Sequence, residues 1–310
     1  MSQTAGRGVS LVVMAAGMGS RYGGLKQIEP VGPAGETLLE FAVFDALRAG
    51  FTKLVFVVRE EFEDAFEERM EGILAGRVET AYVCQRTTDV PPGYEVLAKR
   101  EKPWGTAHAV WSCRDAISEP FAVINADDFY GASAFRSIGS FLFSSDPEHA
   151  EEHALIGYQP GNTLTPHGAV TRGICEVQDG YLVDIRERRN VELREGCVGY
   201  REEDGQWCRV AEDAVASMNL WGFRPSLFED LDWLFRAFLD ELPPGDLTSE
   251  FLLPTAVGNL IAAKRARVRV LPTDESWLGM TYREDLEHVV RSLSERIRQG
   301  QYPSSLWQWA

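Results

Sequence analysis

Two cations and four glycines lie close together near the start of the sequence, directly after a short apolar run. The run, LVVMAA, covers residues 11–16; it is too short to span a membrane and is typical of a buried strand. The loop after it contains Gly17, Gly19, Gly23 and Gly24, together with Arg21 and Lys26. Glycine allows backbone N–H groups to approach a phosphate closely, and Arg and Lys neutralise its charge. These residues predict a loop that binds a nucleoside triphosphate.

Three kinds of phosphate-binding loop can be compared with this stretch. A Walker A loop requires Ser or Thr after its Lys, but Lys26 is followed by Gln, so that pattern is excluded. A dinucleotide-binding fingerprint requires GxGxxG, whereas the glycines here give GxGxxxG and cations crowd the loop. The pattern that fits is GxGxR, from Gly17 to Arg21, followed by Lys26. The alternative that stays open is a glycine-rich connector with solvated cations.

Two acidic residues, Asp127 and Asp128, follow a second predicted strand, FAVIN (121–125). Carboxylates at the end of a strand can hold Mg²⁺ through one or two oxygens, while water and phosphate complete the octahedron. We expect Asp127 to be the metal ligand. The alternative is that either residue is an ordinary turn or helix-capping Asp.

A turn of small residues, PWGTA (103–107), opens another predicted helix, which should run to about Ile117. Small residues allow a flat base to lie close to the backbone, and the hydroxyl of Thr106 can hydrogen-bond to it. Gln85 ends the preceding predicted strand, and its amide can pair with the edge of a base. The alternative is an ordinary helix in which Thr106 is the N-cap.

The predicted elements bring these residues to one edge of a sheet. Helices at 36–49 and 62–76 alternate with strands at 53–60 and 78–85, which implies parallel βαβ units. In such sheets ligands lie at the carboxyl ends of the strands. Residues 86–102 contain PPG and interrupt this alternation as an insertion or lid.

The second half of the chain is predicted to be richer in strands. Its predicted elements are helices at 133–145, 227–242 and 283–300, strands at 154–160, 215–225 and 266–273, and a hairpin over 168–192 that turns at Asp179–Gly180. The apolar helix at 227–242 and the tail SSLWQWA are candidates either for the interface of a homo-oligomer or for the core.

Composition restricts the partners. The net charge is −16, which disfavours duplex nucleic acid and anionic membrane surfaces as partners. No apolar run approaches the roughly 18 residues of a transmembrane helix, and the first ten residues do not resemble a signal peptide. Five cysteines without a CxxC pair predict reduced thiols and hence a cytoplasmic location.

Together these motifs resemble the sugar-1-phosphate nucleotidyltransferase family, over residues 9 to 290. That family has a GxGxR…K loop, a Gln and a Gly-Thr-Ala turn that hold the base, and a metal-binding Asp after a strand. The resemblance implies a three-layer α/β/α fold with a mostly parallel mixed sheet, GT-A-like and Rossmann-like, and a β-rich sugar-binding elaboration. It implies a single domain over 1–310, in which 9–131 bind the nucleotide, 132–290 bind the sugar phosphate, and 291–310 form the end of the last helix and the tail.

The resemblance also implies a role for individual residues. Arg21 and Lys26 are the expected catalytic residues. The expected nucleotide-binding residues are Ala15, Ala16, Gly17, Gly19, Ser20, Gln85, Pro103, Gly105 and Thr106. The expected sugar-phosphate-binding residues are Asn125, Glu187, Arg188, Asn219 and Gly222. Mg²⁺ is the expected cofactor, held by Asp127 and Glu250.

The implied reaction converts an NTP, with UTP favoured, and a sugar 1-phosphate into an NDP-sugar and pyrophosphate. Three departures from the family pattern are visible: Leu25 stands where Pro is usual, residues 277–281 (WLGMT) lack the Asp of W-x-D-x-G-T, and Glu250 stands where Asp is usual. Two alternatives stay open. One is a cytidylyltransferase that acts on a polyol or amino-alcohol phosphate; the other is a non-catalytic regulatory subunit with the same fold.

Overall fold

The computed structural model describes residues 8–17, 29–74, 76–94, 99–144, 151–202 and 204–308. Much of the predicted phosphate-binding loop lies outside these ranges. The predictions for Gly19, Ser20, Arg21 and Lys26 therefore fall outside the described residues.

The described residues form seven helices and thirteen strands. The helices are α1 (Leu38–Arg48), α2 (Glu63–Leu74), α3 (Thr106–Trp111), α4 (Ala132–Phe143), α5 (Leu227–Glu241), α6 (Leu253–Ala262) and α7 (Asp285–Arg298). The strands are β1 (Ser10–Met14), β2 (Lys53–Val58), β3 (Glu79–Cys84), β4 (Phe121–Asn125), β5 (Asp128–Phe129), β6 (His153–Tyr158), β7 (Val170–Gln178), β8 (Tyr181–Arg194), β9 (Cys197–Arg201), β10 (Trp207–Arg209), β11 (Val215–Phe223), β12 (Val268–Thr273) and β13 (Leu278–Gly279).

Within the described ranges, one large mixed sheet organises the protein. Its strand order is β10-β9-β8-β12-β6-β11-β4-β1-β2-β3, and β7 pairs with both β11 and β8. β1 runs parallel to β2 and β4, and β2 runs parallel to β3, which confirms the predicted parallel βαβ units. β11 runs antiparallel to β4 and β6, so the sheet is mixed, as predicted. Among the described strands, however, only the pairs β1–β2, β1–β4, β2–β3 and β6–β12 of this sheet are parallel, so the prediction of a mostly parallel sheet is wrong.

The helices pack on both faces of this sheet. Side chains of a strand alternate between faces, and β1 shows the consequence. Leu11 and Val13 belong to the hydrophobic cluster that contains residues of α1, α2 and α4, whereas Val12 and Met14 belong to the cluster with residues of α3, α5 and α6. Both faces of the sheet are therefore buried where the βαβ units lie. No helix in the described part of the chain combines the length and apolar character needed to cross a membrane.

The predicted hairpin is present and turns where the sequence indicates. Asp179 has φ 52° and Gly180 has φ 80°, the left-handed conformation of both central residues that a two-residue type I′ turn requires. One predicted length is wrong: α3 ends at Trp111 and does not reach Ile117. Beyond Trp111 the chain changes to i→i−3 hydrogen bonds, such as Cys113 to Val110 at 2.9 Å, which tighten it into successive turns.

The tail packs onto α1. Tyr302 Oη donates a hydrogen bond to Asp45 Oδ2 at 2.6 Å, and Trp307 Nε1 donates one to Glu40 Oε2 at 2.9 Å. The backbone N–H of Leu306 donates to Glu36 Oε1 at 3.0 Å. Tyr302 and Leu306 are buried, so this segment belongs to the core of the chain. The buried apolar face of α5 is likewise part of the core.

Candidate functional site

A cleft of about 700 Å³ opens at the carboxyl ends of β1 and β3. Its size is that of a typical small-molecule site. The residues that line it are Met14, Ala16, Gly17, Arg59, Gln85, Glu101, Lys102, Pro103, Gly105, Thr106, Ala109 and Glu250. Six of the nine residues predicted to bind a nucleotide thus meet in one place. Ala15 adjoins them and donates its N–H to the carbonyl group of Val57 at 2.8 Å.

The turn at Gly105 is fixed by the segment that leads into α6. Gly105 has φ 109°, and a Cβ at this position would lie 2.6 Å from the carbonyl oxygen of Phe251. That oxygen accepts a hydrogen bond from the N–H of Ala107 at 3.0 Å. This contact explains why Glu250, distant in sequence, reaches the same cleft. Only glycine fits the turn, because the conformation is left-handed and the backbone approach is close.

Thr106 is not the N-cap of its helix, which was the alternative considered for it. The N-cap of α3 is Gly105, and Thr106 is the first residue of the helix. Its Oγ1 accepts a hydrogen bond from the N–H of Leu253 at 2.9 Å. Thr106 therefore connects α3 to α6, and it still lines the cleft.

Gln85 is anchored by the same turn. Its Nε2 donates a hydrogen bond to the carbonyl oxygen of Gly105 at 2.9 Å, and the side chain is largely buried. The strand-end amide and the Gly-Thr-Ala turn are thus in direct contact.

The charged residues of the cleft include two cations that sequence reasoning missed. Lys102 Nζ lies 2.8 Å from Glu250 Oε2, and Arg59 lies 2.7 Å from Glu61. Lys102 stands directly before Pro103, where the predicted base-binding turn begins. That position was the sequence signal that could have identified Lys102 as a cleft residue. In a chain with a net charge of −16, these two cations are groups that a phosphate could contact at the cleft, although each is paired with a carboxylate.

The two adjacent acids after β4 have different surroundings. Asp128 is buried, and its Oδ2 accepts hydrogen bonds from Asn125 Nδ2 at 2.7 Å and Tyr130 Oη at 3.2 Å. Burial raises the pKa of Tyr130 well above its usual value, so the phenol remains a donor. Asp127 is more exposed and follows Ala126, whose N–H donates to the Met14 carbonyl group at 3.2 Å. Asp127 thus lies beside the end of β1, although it is not a cleft-lining residue.

Oxygen donors suitable for a hard divalent cation are present at this edge. Asp127 follows β4, and Glu250 lines the cleft, so two carboxylates from separate segments could hold Mg²⁺ together with water and phosphate. Across the described ranges, no cluster of three or more His, Cys, Asp or Glu side chains could form a complete protein cage. Asp127 and Glu250 are thus the two predicted ligands, and each supplies a carboxylate of the kind that Mg²⁺ binds.

Glu187 and Arg188 do not converge on one ligand. They are consecutive residues of β8, and consecutive residues of a strand point to opposite faces. Glu187 is exposed, whereas Arg188 lies 3.1 Å from Glu202 and stacks on Tyr200 at 4.6 Å. Arg188 lines a separate cavity of about 370 Å³. Glu187 and Arg188 therefore face different surroundings, and the sugar-phosphate role of each stays a prediction.

The remaining predicted sugar-side residues are also divided. Asn219 lies at an irregularity of β11 with φ 62°, and its Oδ1 accepts a hydrogen bond from Trp221 Nε1 at 3.3 Å. Trp221 of β11 pairs with Val123 of β4 in antiparallel register. Asn219 lies two residues before Trp221 and Asn125 two residues after Val123, so both asparagines lie near the same edge of the sheet. Gly222 lies in the interior instead: a Cβ there would be 2.7 Å from Ile138 of α4. Its small size serves sheet–helix packing, and its binding role stays a prediction.

Comparisons with known proteins agree with this arrangement. The sequence model of the family described as Nucleotidyl transferase matches residues 10–188. No curated protein matches the chain. The inositol-1-phosphate CTP transferase from T. maritima superposes with a TM-score of 0.63 at 18% identity, over 95% of this chain and 98% of that chain. A UDP-glucose pyrophosphorylase complexed with UDP-glucose gives 0.58 at 18% identity, over 93% of this chain and 99% of that chain. At these identities the likeness concerns the fold.

Proposed function

This chain belongs to the nucleotidyl transferase family, and we propose that it transfers a nucleotidyl group from an NTP, with UTP favoured, to a sugar 1-phosphate. The products are an NDP-sugar and pyrophosphate. The observation that carries the proposal is the meeting of Gly17, Gln85 and the Gly105–Thr106 turn in one cleft. These residues come from three separate stretches and include both the start of the glycine loop and the predicted base-binding groups.

The reaction needs no general base, because the nucleophile is already an anion. A phosphate oxygen of the sugar 1-phosphate attacks the α-phosphorus in line and forms a new P–O bond. The bond from the α-phosphorus to its bridging oxygen breaks, and pyrophosphate leaves with the electron pair. Catalysis then consists of positioning and charge neutralisation. Arg21 is proposed to hold the leaving β- and γ-phosphates, and Lys26 to stabilise the α-phosphoryl group.

Asp127 and Glu250 would hold Mg²⁺, whose contribution when bound is neutralisation of phosphate charge. The ion pair with Lys102 keeps the Glu250 carboxylate at the cleft until substrate arrives. Glu187, Asn125 and Asn219 remain the proposed sugar-side residues.

The proposal also covers the domain organisation of the chain. Helices packed on both faces of the sheet support a three-layer α/β/α arrangement in a single domain. The first half supplies the cleft, and the strand-rich second half is proposed to receive the sugar phosphate.

The test is pyrophosphate release from ATP, GTP, CTP, UTP and dTTP, each with a panel of sugar 1-phosphates and of polyol and amino-alcohol phosphates, with and without Mg²⁺. Magnesium-dependent release with a sugar 1-phosphate is expected. Release with CTP and a polyol phosphate alone would instead support the cytidylyltransferase alternative, which the inositol-1-phosphate CTP transferase fold keeps relevant. No release with any pair would support the regulatory subunit. In an active enzyme, Lys26→Ala should lower the rate by about 10²–10³-fold.

A further inference from the structure

The amide of Gln85 is held at both of its hydrogens. One Nε2 hydrogen is donated to the carbonyl oxygen of Gly105 at 2.9 Å. Nε2 also lies 3.2 Å from Nδ1 of His108. A carbonyl oxygen can only accept, so the contact with Gly105 requires that the nitrogen of the amide, and not its oxygen, faces the turn.

The protonation of His108 is fixed by its other nitrogen. Nε2 of His108 lies 2.8 Å from the carbonyl oxygen of Asp89, which can only accept, so Nε2 carries the proton. The ring is fully buried and packs against Phe235 at 5.1 Å and Trp111 at 5.4 Å. Burial lowers the pKa of His108 to about 4, so the ring is neutral at pH 7. Nδ1 is therefore an acceptor and receives the second amide hydrogen of Gln85.

Only the oxygen of Gln85 remains for a ligand. Oε1 makes no hydrogen bond with the part of the chain that the structure describes, and Gln85 lines the cleft. Nearby carbonyl groups already accept backbone hydrogen bonds: Gly105 from Ala109, and Phe251 from Ala107. Oε1 of Gln85 is thus the acceptor that the held amide presents to the cleft. A single ring N–H, such as N3–H of uracil or thymine, matches this acceptor.

We propose that His108 is a positioning residue for base recognition: it locks the Gln85 amide so that only Oε1 faces the cleft and selects a pyrimidine with an imide N3–H, uracil or thymine. The inference rests on the proposed function, since it assumes that the cleft receives a nucleotide. An unlocked amide could turn its NH₂ group toward the ligand and accept cytosine through N3. The lock excludes that orientation.

Binding measurements test this without turnover. Dissociation constants for UTP, dTTP, CTP and 3-methyl-UTP are measured by calorimetry with the full chain. We expect CTP and 3-methyl-UTP to bind about ten-fold or more weakly than UTP, because neither carries the N3–H that the Gln85 oxygen would accept from uracil. CTP, 3-methyl-UTP or a purine triphosphate binding as tightly as UTP would overturn the inference. Binding of none of the triphosphates would overturn the proposed function and this inference with it.

Variants separate the lock from a merely structural effect. His108→Phe keeps an aromatic ring among Phe235 and Trp111 but removes the acceptor, so the UTP-to-CTP ratio should fall to about three-fold or less. His108→Asn can accept through Oδ1 and should restore the ratio. Ser112→Ala is the matched control: its hydroxyl donates to the backbone of His108 at 2.9 Å and does not touch Gln85, so the ratio should stay. An unchanged ratio in His108→Phe, with the fold verified by thermal melting, would contradict the lock. If that variant does not fold, the ratio in His108→Asn and the 3-methyl-UTP result decide.

Discussion

The ammonium group of Lys102 lies 2.8 Å from the carboxylate of Glu250, and both residues line the cleft proposed to bind the nucleotide. Each side chain is close to half exposed, so the pair itself contributes little to stability. A triphosphate that enters the cleft with its metal ion would offer both groups a new partner. Lys102 could bind a phosphate, and Glu250 could bind the metal ion.

Lys102→Gln should therefore raise the KM for the NTP several-fold, on the order of three- to ten-fold, with a smaller change in kcat. Initial-rate kinetics across NTP concentrations check this. Lys99→Gln is the matched control, because it removes the same charge three residues away from an exposed position outside the cleft. Equal KM values in the two variants would mean that Lys102 acts only through the overall electrostatic field of the protein.

Asp127→Asn and Asp128→Asn should give opposite results. Asp127→Asn is expected to lower kcat by about 10²–10³-fold with little change in the free energy of unfolding, because the proposed metal ligand is lost from a partly exposed position. Asp128→Asn should lower the free energy of unfolding by about 1–3 kcal/mol, since the buried carboxylate accepts from Asn125 and Tyr130. Kinetics and denaturant unfolding of both variants decide the assignment. A large kcat loss in Asp128→Asn alone would instead indicate that Asp128, and not Asp127, is the metal ligand.

Gly105→Ala should lower the free energy of unfolding by more than the cost of the left-handed backbone conformation at this position. The φ of 109° costs a non-glycine residue about 1–3 kcal/mol, and contact of the new Cβ with the Phe251 carbonyl oxygen at 2.6 Å adds to that. Gly93→Ala is the control for the first contribution, because Gly93 has φ 97° with no neighbouring atom within 4 Å. Denaturant unfolding should show the larger loss for Gly105→Ala. Equal losses would show that the segment at Phe251 moves aside.

The stability of the wild-type chain should carry a pH-dependent contribution from Asp45. Burial raises the pKa of this carboxyl from 3.8 to about 7, and its Oδ1 has no hydrogen-bond partner among the described residues. Between these two values the folded state binds a proton that the unfolded state has released. The contribution is fully present below pH 3.8 and is lost as the pH rises through 7, by about 2–4 kcal/mol in total.

Asp45→Asn should remove this dependence, because the amide does not titrate. The measurement is the difference in the free energy of unfolding between wild type and Asp45→Asn, followed from pH 5 to pH 8. A difference that stays constant across this range would show that Asp45 is ionised in the folded chain.

Local patterns predicted the frame of the site. Buried strands and amphipathic helices have periodicities that a short window reveals, so the alternation from β1 to β4 could be identified, and with it the edge where Gln85 and Gly105 meet. The alternation of side chains along β8 would also have separated Glu187 from Arg188, had it been applied to them.

Other features depend on contacts between distant parts of the chain. The ion pair of Lys102 with Glu250 exists because Gly105 docks on the backbone at Phe251, and no local pattern contains that contact. Gly222 resembled a binding residue because its neighbourhood matched a motif. Its size is instead required by Ile138, a neighbour from another element.

The packing of the tail on α1 also has a consequence for biosynthesis. Glu36, Glu40 and Asp45 emerge early from the ribosome, whereas their hydrogen-bond donors at Leu306, Trp307 and Tyr302 are made more than 250 residues later. Until then, three acidic side chains of the first helical segment lack these partners. The helix α1 can therefore reach its final packing only late in translation, after the strands and helices of the second half of the chain have been made.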